Sequence, residues 1–124
     1  MKHCGSKMER GAAAVEFALV LLPLMLIVLG TIDWGYYFYV RQCVTDAVRA
    51  GARAGSLDPG TEVAAANAYL SALNLTRAAA RACDAPPAGS VCVRVDYSTG
   101  SITGFLPDVM PGTATAQAVM RQEP

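Results

Sequence analysis

Residues 12–32 read AAAVEFALVLLPLMLIVLGTI, and this apolar run decides the fold of the chain. Glu16 is its only charged residue, and no charge occurs between Phe17 and Ile32. As a helix, 21 residues extend about 31 Å, enough to cross a hydrocarbon layer of ~30 Å. The run therefore predicts one membrane-spanning helix.

The segment before the apolar run is basic. Lys2, Lys7 and Arg10 oppose only Glu9, although the whole chain of 124 residues has ten basic and ten acidic residues. By the positive-inside rule, we expect the N-terminus to stay cytoplasmic and the residues after Ile32 to be translocated. The remaining arginines are scattered, so we predict no nucleic-acid partner.

An aromatic cluster follows the span, at the point where the helix would meet water. Such belts are typical of membrane interfaces. The predicted interface residues are Asp33, Trp34, Tyr36, Tyr37 and Tyr39.

The helix is expected to continue beyond this cluster. Val40, Val44, Ala47, Gly51 and Ala54 recur at helical spacings, and no proline separates them from the span. We therefore favour one helix of about forty residues over a span followed by a separate helix. The small residues of this stripe permit close helix approach, either to a second helix of the chain or to a neighbouring subunit.

The rest of the chain predicts a small mixed domain. Asp58 and Pro59 are typical of a helix start, and a second helix is expected to run to about Asn74. Residues 76–81 have a composition that favours helix. Residues 91–97 alternate as a half-buried strand, and residues 114–120 do so more weakly.

The predicted fold class is thus α+β, with a long N-terminal helix, a second helix packed on it and a small antiparallel β element. We assign residues 1–11 to a basic leader and 12–40 to the membrane helix with its aromatic belt. Residues 41–55 continue that helix outside the membrane, and 56–124 form a small extracytoplasmic domain.

The four cysteines divide between two compartments in this topology. Cys4 is expected to be a free thiol on the reducing side, whereas Cys83 and Cys92 bracket a turn-rich stretch where disulfides persist. We predict a Cys83–Cys92 disulfide, which is worth roughly 2.5–3 kcal/mol in the chain-entropy model. No histidine occurs after His3, so neither a metal site nor a cofactor is expected.

The junction between leader and helix carries the functional information. Residues 10–17, RGAAAVEF, resemble the processing site of type IV pilin-class precursors, with cleavage between Gly11 and Ala12. A glycine lets a protease approach the backbone closely. Glu16 places a costly carboxylate near the start of a membrane helix, where the new amine of Ala12 in a staggered neighbour could meet it. The alternative is a favourable interaction of Glu16 with the dipole of its own helix.

The longer segment 11–55 resembles the start of TadE-like proteins of tight-adherence (Tad) pilus systems. The matching features are Gly11, Glu16, Phe17, Pro23 and the run VRAGARAG at 48–55, and Asp33 stands where glutamate is more usual. The resemblance implies a pseudopilin that is cleaved by a prepilin peptidase and assists assembly of an adhesive surface fibre. Its implied partners are the membrane, other pilins or pseudopilins and the Tad secretion machinery, with localisation in the bacterial inner membrane.

Three other classes of protein compete with this interpretation. A secreted domain with an ordinary signal peptide suits the basic leader, but the A-x-A cleavage pattern is missing. A single-pass anchor with an outer binding module needs no cleavage and gives Glu16 no role. An enzyme is not indicated, because no nucleophile or carboxylate pair has a recognisable base and no small-molecule substrate is evident.

Overall fold

The computed structural model describes residues 6–104 and 112–122, with side chains described from residue 11 onward. Two helices precede a three-stranded sheet. The elements are α1 (Ser6–Leu57), α2 (Glu62–Ala72), β1 (Ala78–Ala82), β2 (Ser90–Ser98) and β3 (Thr113–Arg121). The predicted α+β architecture is confirmed.

Helix α1 is one continuous element of 52 residues, about 78 Å long. The prediction of a single helix is confirmed, and Pro23 lies inside it, as membrane helices tolerate. Only the outer half has partners within the chain. Its buried side is formed by Val40, Cys43, Val44, Ala47, Val48 and Ala52.

Helix α2 packs closely on α1. Ala66 and Leu70 are buried against it, and Val63 and Leu73 are half-buried beside them. A Cβ atom at Gly51 would lie 2.6 Å from the carbonyl oxygen of Glu62. The small residue at this position therefore serves packing within the chain.

The start of α2 differs from the prediction. Asp58 directly follows the last residue of α1, and its N–H donates to the carbonyl of Ala54 in that helix. Gly60, at φ +96, turns the chain between the helices, and Thr61 is the cap residue. The prediction that Asp58 and Pro59 begin the helix is wrong because these residues form the interhelical turn.

Residues 78–82 form a strand, so the helical interpretation of residues 76–81 is wrong. Helix α2 ends at Ala72, and Asn74 adopts a left-handed conformation at φ 56. Strand β1 then pairs antiparallel with β2, from Ala78 opposite Tyr97 to Ala82 opposite Val93. Pairing with a strand made of later residues outweighs the helix propensity of the alanines.

The two other strands confirm the predicted alternation. The sheet order is β1-β2-β3, and β3 pairs antiparallel with β2 over nine residues. Val91, Val93, Val95 and Tyr97 face the helices and join the core. Cys83 and Cys92 form the predicted disulfide, with 5.4 Å between their Cα atoms.

Candidate processing and assembly site

The junction predicted for processing lies within α1. Gly11 and Ala12 are both exposed, and a Cβ atom added to Gly11 would meet no atom within 4 Å. No part of the described chain therefore shields this stretch of backbone. The structure brings no other predicted site residue to the junction except its helical neighbours Glu16 and Phe17.

Glu16 and Phe17 lie one turn further along the same helix and are exposed. Among the residues whose side chains the structure describes, Glu16 forms no hydrogen bond or ion pair. Phe17 retains 68% of its accessible surface. A carboxylate in an apolar segment thus stands without a partner from the described part of its own chain.

The inner half of α1 is apolar and uncovered. Most of its large side chains are exposed, and no residue in the 18-residue window of highest mean hydropathy, 2.6, is buried within the chain. The helix is long and apolar enough to cross a membrane. An apolar surface of this extent is expected to be covered by lipid or by neighbouring helices.

Asp33 marks the start of the outer, packed half of α1 and is fully buried. Its Oδ2 accepts hydrogen bonds from Ser101 Oγ at 2.7 Å and Thr103 Oγ1 at 2.6 Å. Its Oδ1 accepts the backbone N–H groups of Ile102 and Thr103, each at 3.1 Å. The Asp33 carboxylate therefore holds residues 101–103, in the loop after β2, against α1.

The sequence did not reveal this contact. Asp33 was predicted as a membrane-interface residue, which stays a prediction, and nothing in the pattern joined it to a loop some seventy residues away. The only usable signal was the run of hydroxyl residues Ser101 and Thr103 before Gly104, which is typical of a turn that binds an acceptor.

The aromatic cluster divides into an outward and an inward set. Trp34, Tyr39 and the neighbouring Phe38 are exposed, whereas Tyr36 and Tyr37 are half-buried against the core. Trp34 packs edge-on against Tyr37 with 5.9 Å between ring centroids. Only part of the predicted belt is therefore free to meet lipid headgroups.

Tyr36 connects the helix to the sheet. Its hydroxyl lies 3.2 Å from the hydroxyl of Tyr97 on β2. Burial, and next the hydrogen bond with Tyr36, raise the pKa of Tyr97 to about 12. The phenol is therefore neutral at physiological pH, and the pair joins α1 and β2 without charge.

Cys43 is the free cysteine among the residues whose side chains the structure describes. Its thiol is buried, and the side chain packs from α1 into the core. Residues 6–104 and 112–122 contain no group of three histidine, cysteine or acidic side chains that could hold a metal ion.

The match to a known protein family lies in helix α1, which carries Gly11, Glu16 and Asp33. The family model of TadE-like proteins matches residues 11–53, from the glycine of the junction to the outer half of α1. The resemblance indicated by the sequence is confirmed over this segment, which points to a protein related to Tad pili. No curated protein and no solved structure matches the chain.

Proposed function

We propose that this chain is a TadE-like pseudopilin that is cleaved between Gly11 and Ala12 and then assists assembly of a Tad adhesive pilus. One observation carries the proposal: the family match begins at Gly11 and includes an exposed apolar segment of α1 whose only acid between Gly11 and Asp33 is Glu16. The matched family is of the pilin type and is not an enzyme family.

Processing at this junction is supported by its surroundings. A basic leader precedes it, which holds the N-terminus at the cytoplasmic face. Gly11 carries no side chain, and no described atom approaches its Cβ position within 4 Å. A membrane-embedded prepilin peptidase can therefore reach the peptide bond between Gly11 and Ala12.

Glu16 supports a role in assembly. A carboxylate costs about 2.5–3.5 kcal/mol at the bilayer centre and less near its edge, and the described chain offers Glu16 no partner. Cleavage creates an α-amino group at Ala12, and a neighbour shifted along the fibre axis brings that amine to Glu16. The ion pair then stabilises one register of packing between subunits, whereas the unpaired carboxylate destabilises a solitary helix in the membrane.

The disulfide supports the proposed orientation. Cys83 and Cys92 are bonded in the outer domain, and disulfides persist in the periplasm rather than in the cytoplasm. The leader and the disulfide thus agree on a bacterial inner-membrane protein with its N-terminus inside and residues 56–124 outside.

The N-terminus of the mature chain tests the proposal directly. Mass spectrometry of the membrane fraction is expected to find Ala12 as the first residue in cells with a prepilin peptidase and Met1 in cells without one. A first residue near Thr31 would instead identify a secreted domain. An intact Met1 in peptidase-competent cells would identify an unprocessed anchor for an outer binding module.

A pair of glycine variants separates recognition from folding. Gly11→Ala is expected to reduce cleavage at least tenfold, because the added methyl group obstructs the peptidase. Gly35→Ala is the matched control, since its Cβ also meets nothing within 4 Å and it lies on the same helix. Equal cleavage of both variants would contradict the assigned junction.

The role of Glu16 needs a separate measurement. Glu16→Gln is expected to leave insertion and cleavage intact and to lower the number of surface fibres at least tenfold, because the amide cannot form the ion pair. Thr31→Val is the control, as the Thr31 hydroxyl bonds only to the carbonyl of Ile27 in its own helix. Wild-type fibre numbers with Glu16→Gln would contradict the register argument while leaving cleavage untouched.

A further inference from the structure

The sheet has two edges, and the described residues close only one of them. At the β1 edge, α2 packs alongside, and Asn67 Oδ1 accepts the backbone N–H of Ala80 at 3.1 Å. This side-chain bond occupies a donor that an added strand would need. Strand β1 is also only five residues long, so this edge is protected against pairing.

The β3 edge is longer and open. Thr99 donates to the carbonyl of Gly112 at one end of the β2–β3 pair, and Gln122 donates to the carbonyl of Gly89 at the other. Because hydrogen-bonded pairs alternate in an antiparallel ladder, the even-numbered residues of β3 bond to β2. The outward N–H and C=O groups are those of Thr113, Thr115, Gln117, Val119 and Arg121.

Nothing in residues 6–104 and 112–122 bonds to these outward backbone groups. Strand β3 spans nine residues without a proline, and its single charged side chain is Arg121 at the outer end. A long edge strand with a single charged side chain and no proline is a template for strand addition.

A basic cleft lies at the outer end of this edge. It has a volume of about 720 Å³ between α1 and the end of β3, and Arg49, Arg53 and Arg121 line it together with Met120 and Leu57. Asp46 reaches Arg49 at 3.9 Å in an exposed pair. Within the described part of the chain, Arg53 and Arg121 form no ion pair, so the described lining of the cleft carries a net positive charge.

The direction of β3 determines which end of a partner meets the cleft. The start of β3 pairs with Tyr97, whose hydroxyl contacts Tyr36 of the aromatic cluster, and its end lies beside Arg53. The strand therefore runs along α1 away from the proposed membrane. An added segment would meet the arginines at its outer end.

We propose that the open edge of β3 binds an extended segment of a partner protein whose outer end is acidic and lies in the cleft of Arg49, Arg53 and Arg121. Backbone hydrogen bonds supply affinity, and the arginines fix direction and register. A second copy of this chain fits poorly. Copies with parallel membrane helices would bring two arginine clefts together at the same end of the paired strands. The inference stands whether or not Gly11 is cleaved.

The test uses the full chain in detergent micelles and a fluorescein-labelled peptide of alternating threonine and valine that ends in two glutamates. Fluorescence polarisation is expected to detect binding, and replacing the glutamates by lysines is expected to weaken it at least tenfold. The triple variant Arg49→Gln, Arg53→Gln, Arg121→Gln is expected to weaken binding of the acidic peptide to a similar degree.

Backbone pairing is tested without altering the protein. Alternate amides of the peptide are N-methylated in two complementary sets, and only the set that faces β3 is expected to abolish binding. In the protein, Val119→Pro removes one outward N–H and is expected to weaken binding at least tenfold, whereas the matched Val119→Ala retains it. Circular dichroism confirms the sheet in both variants.

Three results would overturn the inference. Equal binding of the two N-methylated peptides would exclude strand pairing. Wild-type binding of the acidic peptide by the triple arginine variant would exclude the cleft. A dimer in sedimentation that Val119→Pro dissociates would assign the edge to a second copy. The Gly11→Ala precursor is expected to bind the peptide as the wild type does, because binding does not depend on cleavage. Failure of the proposed processing is therefore distinguishable from failure of this inference.

Discussion

At the scale of single residues, Asp33 is the polar group that joins residues 101–103 to α1. It is fully buried, and its four hydrogen bonds all come from residues 101–103. A buried carboxylate requires such partners, because burial of an unpaired charge is strongly unfavourable. The loop after β2 is thus held by one side chain of α1.

Removing that carboxylate should release the loop. For Asp33→Ala, we expect hydrogen exchange at the amides of Ile102 and Thr103 to accelerate at least tenfold, because both donate to Asp33 Oδ1. Asp46→Ala is the control, since Asp46 belongs to the same helix and contacts Arg49 only at the surface. Unchanged exchange at both amides in Asp33→Ala would show that other contacts hold the loop.

At the scale of elements, the close approach of α1 and α2 depends on glycine. A Cβ atom at Gly51 would lie 2.6 Å from Glu62 O and 2.9 Å from Ala66 Cβ. At Gly55, it would lie 2.7 Å from Glu62 Cβ and 2.8 Å from Val91 Cγ1. Two glycines one turn apart therefore form the surface on which α2 and the sheet converge.

Gly51→Ala is expected to lower the free energy of unfolding by about 1–2 kcal/mol. Overpacking costs about 1–3 kcal/mol, and the better helix propensity of alanine offsets up to about 1 kcal/mol. Thermal unfolding in detergent should show a midpoint several degrees below the wild type. Gly35→Ala, whose Cβ is unobstructed, should not lower it. A midpoint at or above the wild-type value for Gly51→Ala would mean that α2 shifts freely.

The elements differ in how far the sequence predicted them. Helix α1 and strands β2 and β3 carry their own periodicity, so local pattern was sufficient. Strand β1 consists of alanines and one arginine, and its conformation depends on pairing with residues 93–97. Asp33 contacts residues 101–103, about seventy positions later in the chain, so no local sequence pattern predicts this contact either. The predicted roles of Gly11 and Glu16 stay predictions, and they rest on a spacing that lies within one helical segment.

At the scale of the whole molecule, α1 has two halves with different environments. The inner half is exposed and apolar, and the outer half is packed against α2 and the sheet. The change occurs at Asp33, next to the aromatic cluster. Since the whole outer domain is fastened to the same helix, the orientation of that helix fixes the compartment of every later residue.

Thiol labelling in spheroplasts tests this orientation for the whole chain. The Gly11→Ala variant is used because it should retain the leader and Cys4. A membrane-impermeant maleimide is expected to label Cys4 only after the membrane is permeabilised. In intact spheroplasts it should label the half-buried Cys83, but only after reduction, because Cys83 forms a disulfide with the buried Cys92.

The control removes the disulfide without moving the domain. Cys92→Ser leaves the half-buried Cys83 with a free thiol, and this variant should react in intact spheroplasts without reductant. Buried Cys43 should stay unlabelled until the protein is denatured. Labelling of Cys4 in intact spheroplasts would reverse the proposed topology. It would also place Gly11 on the opposite side from a cytoplasmic peptidase, so the orientation and the proposed processing are tested by the same measurement.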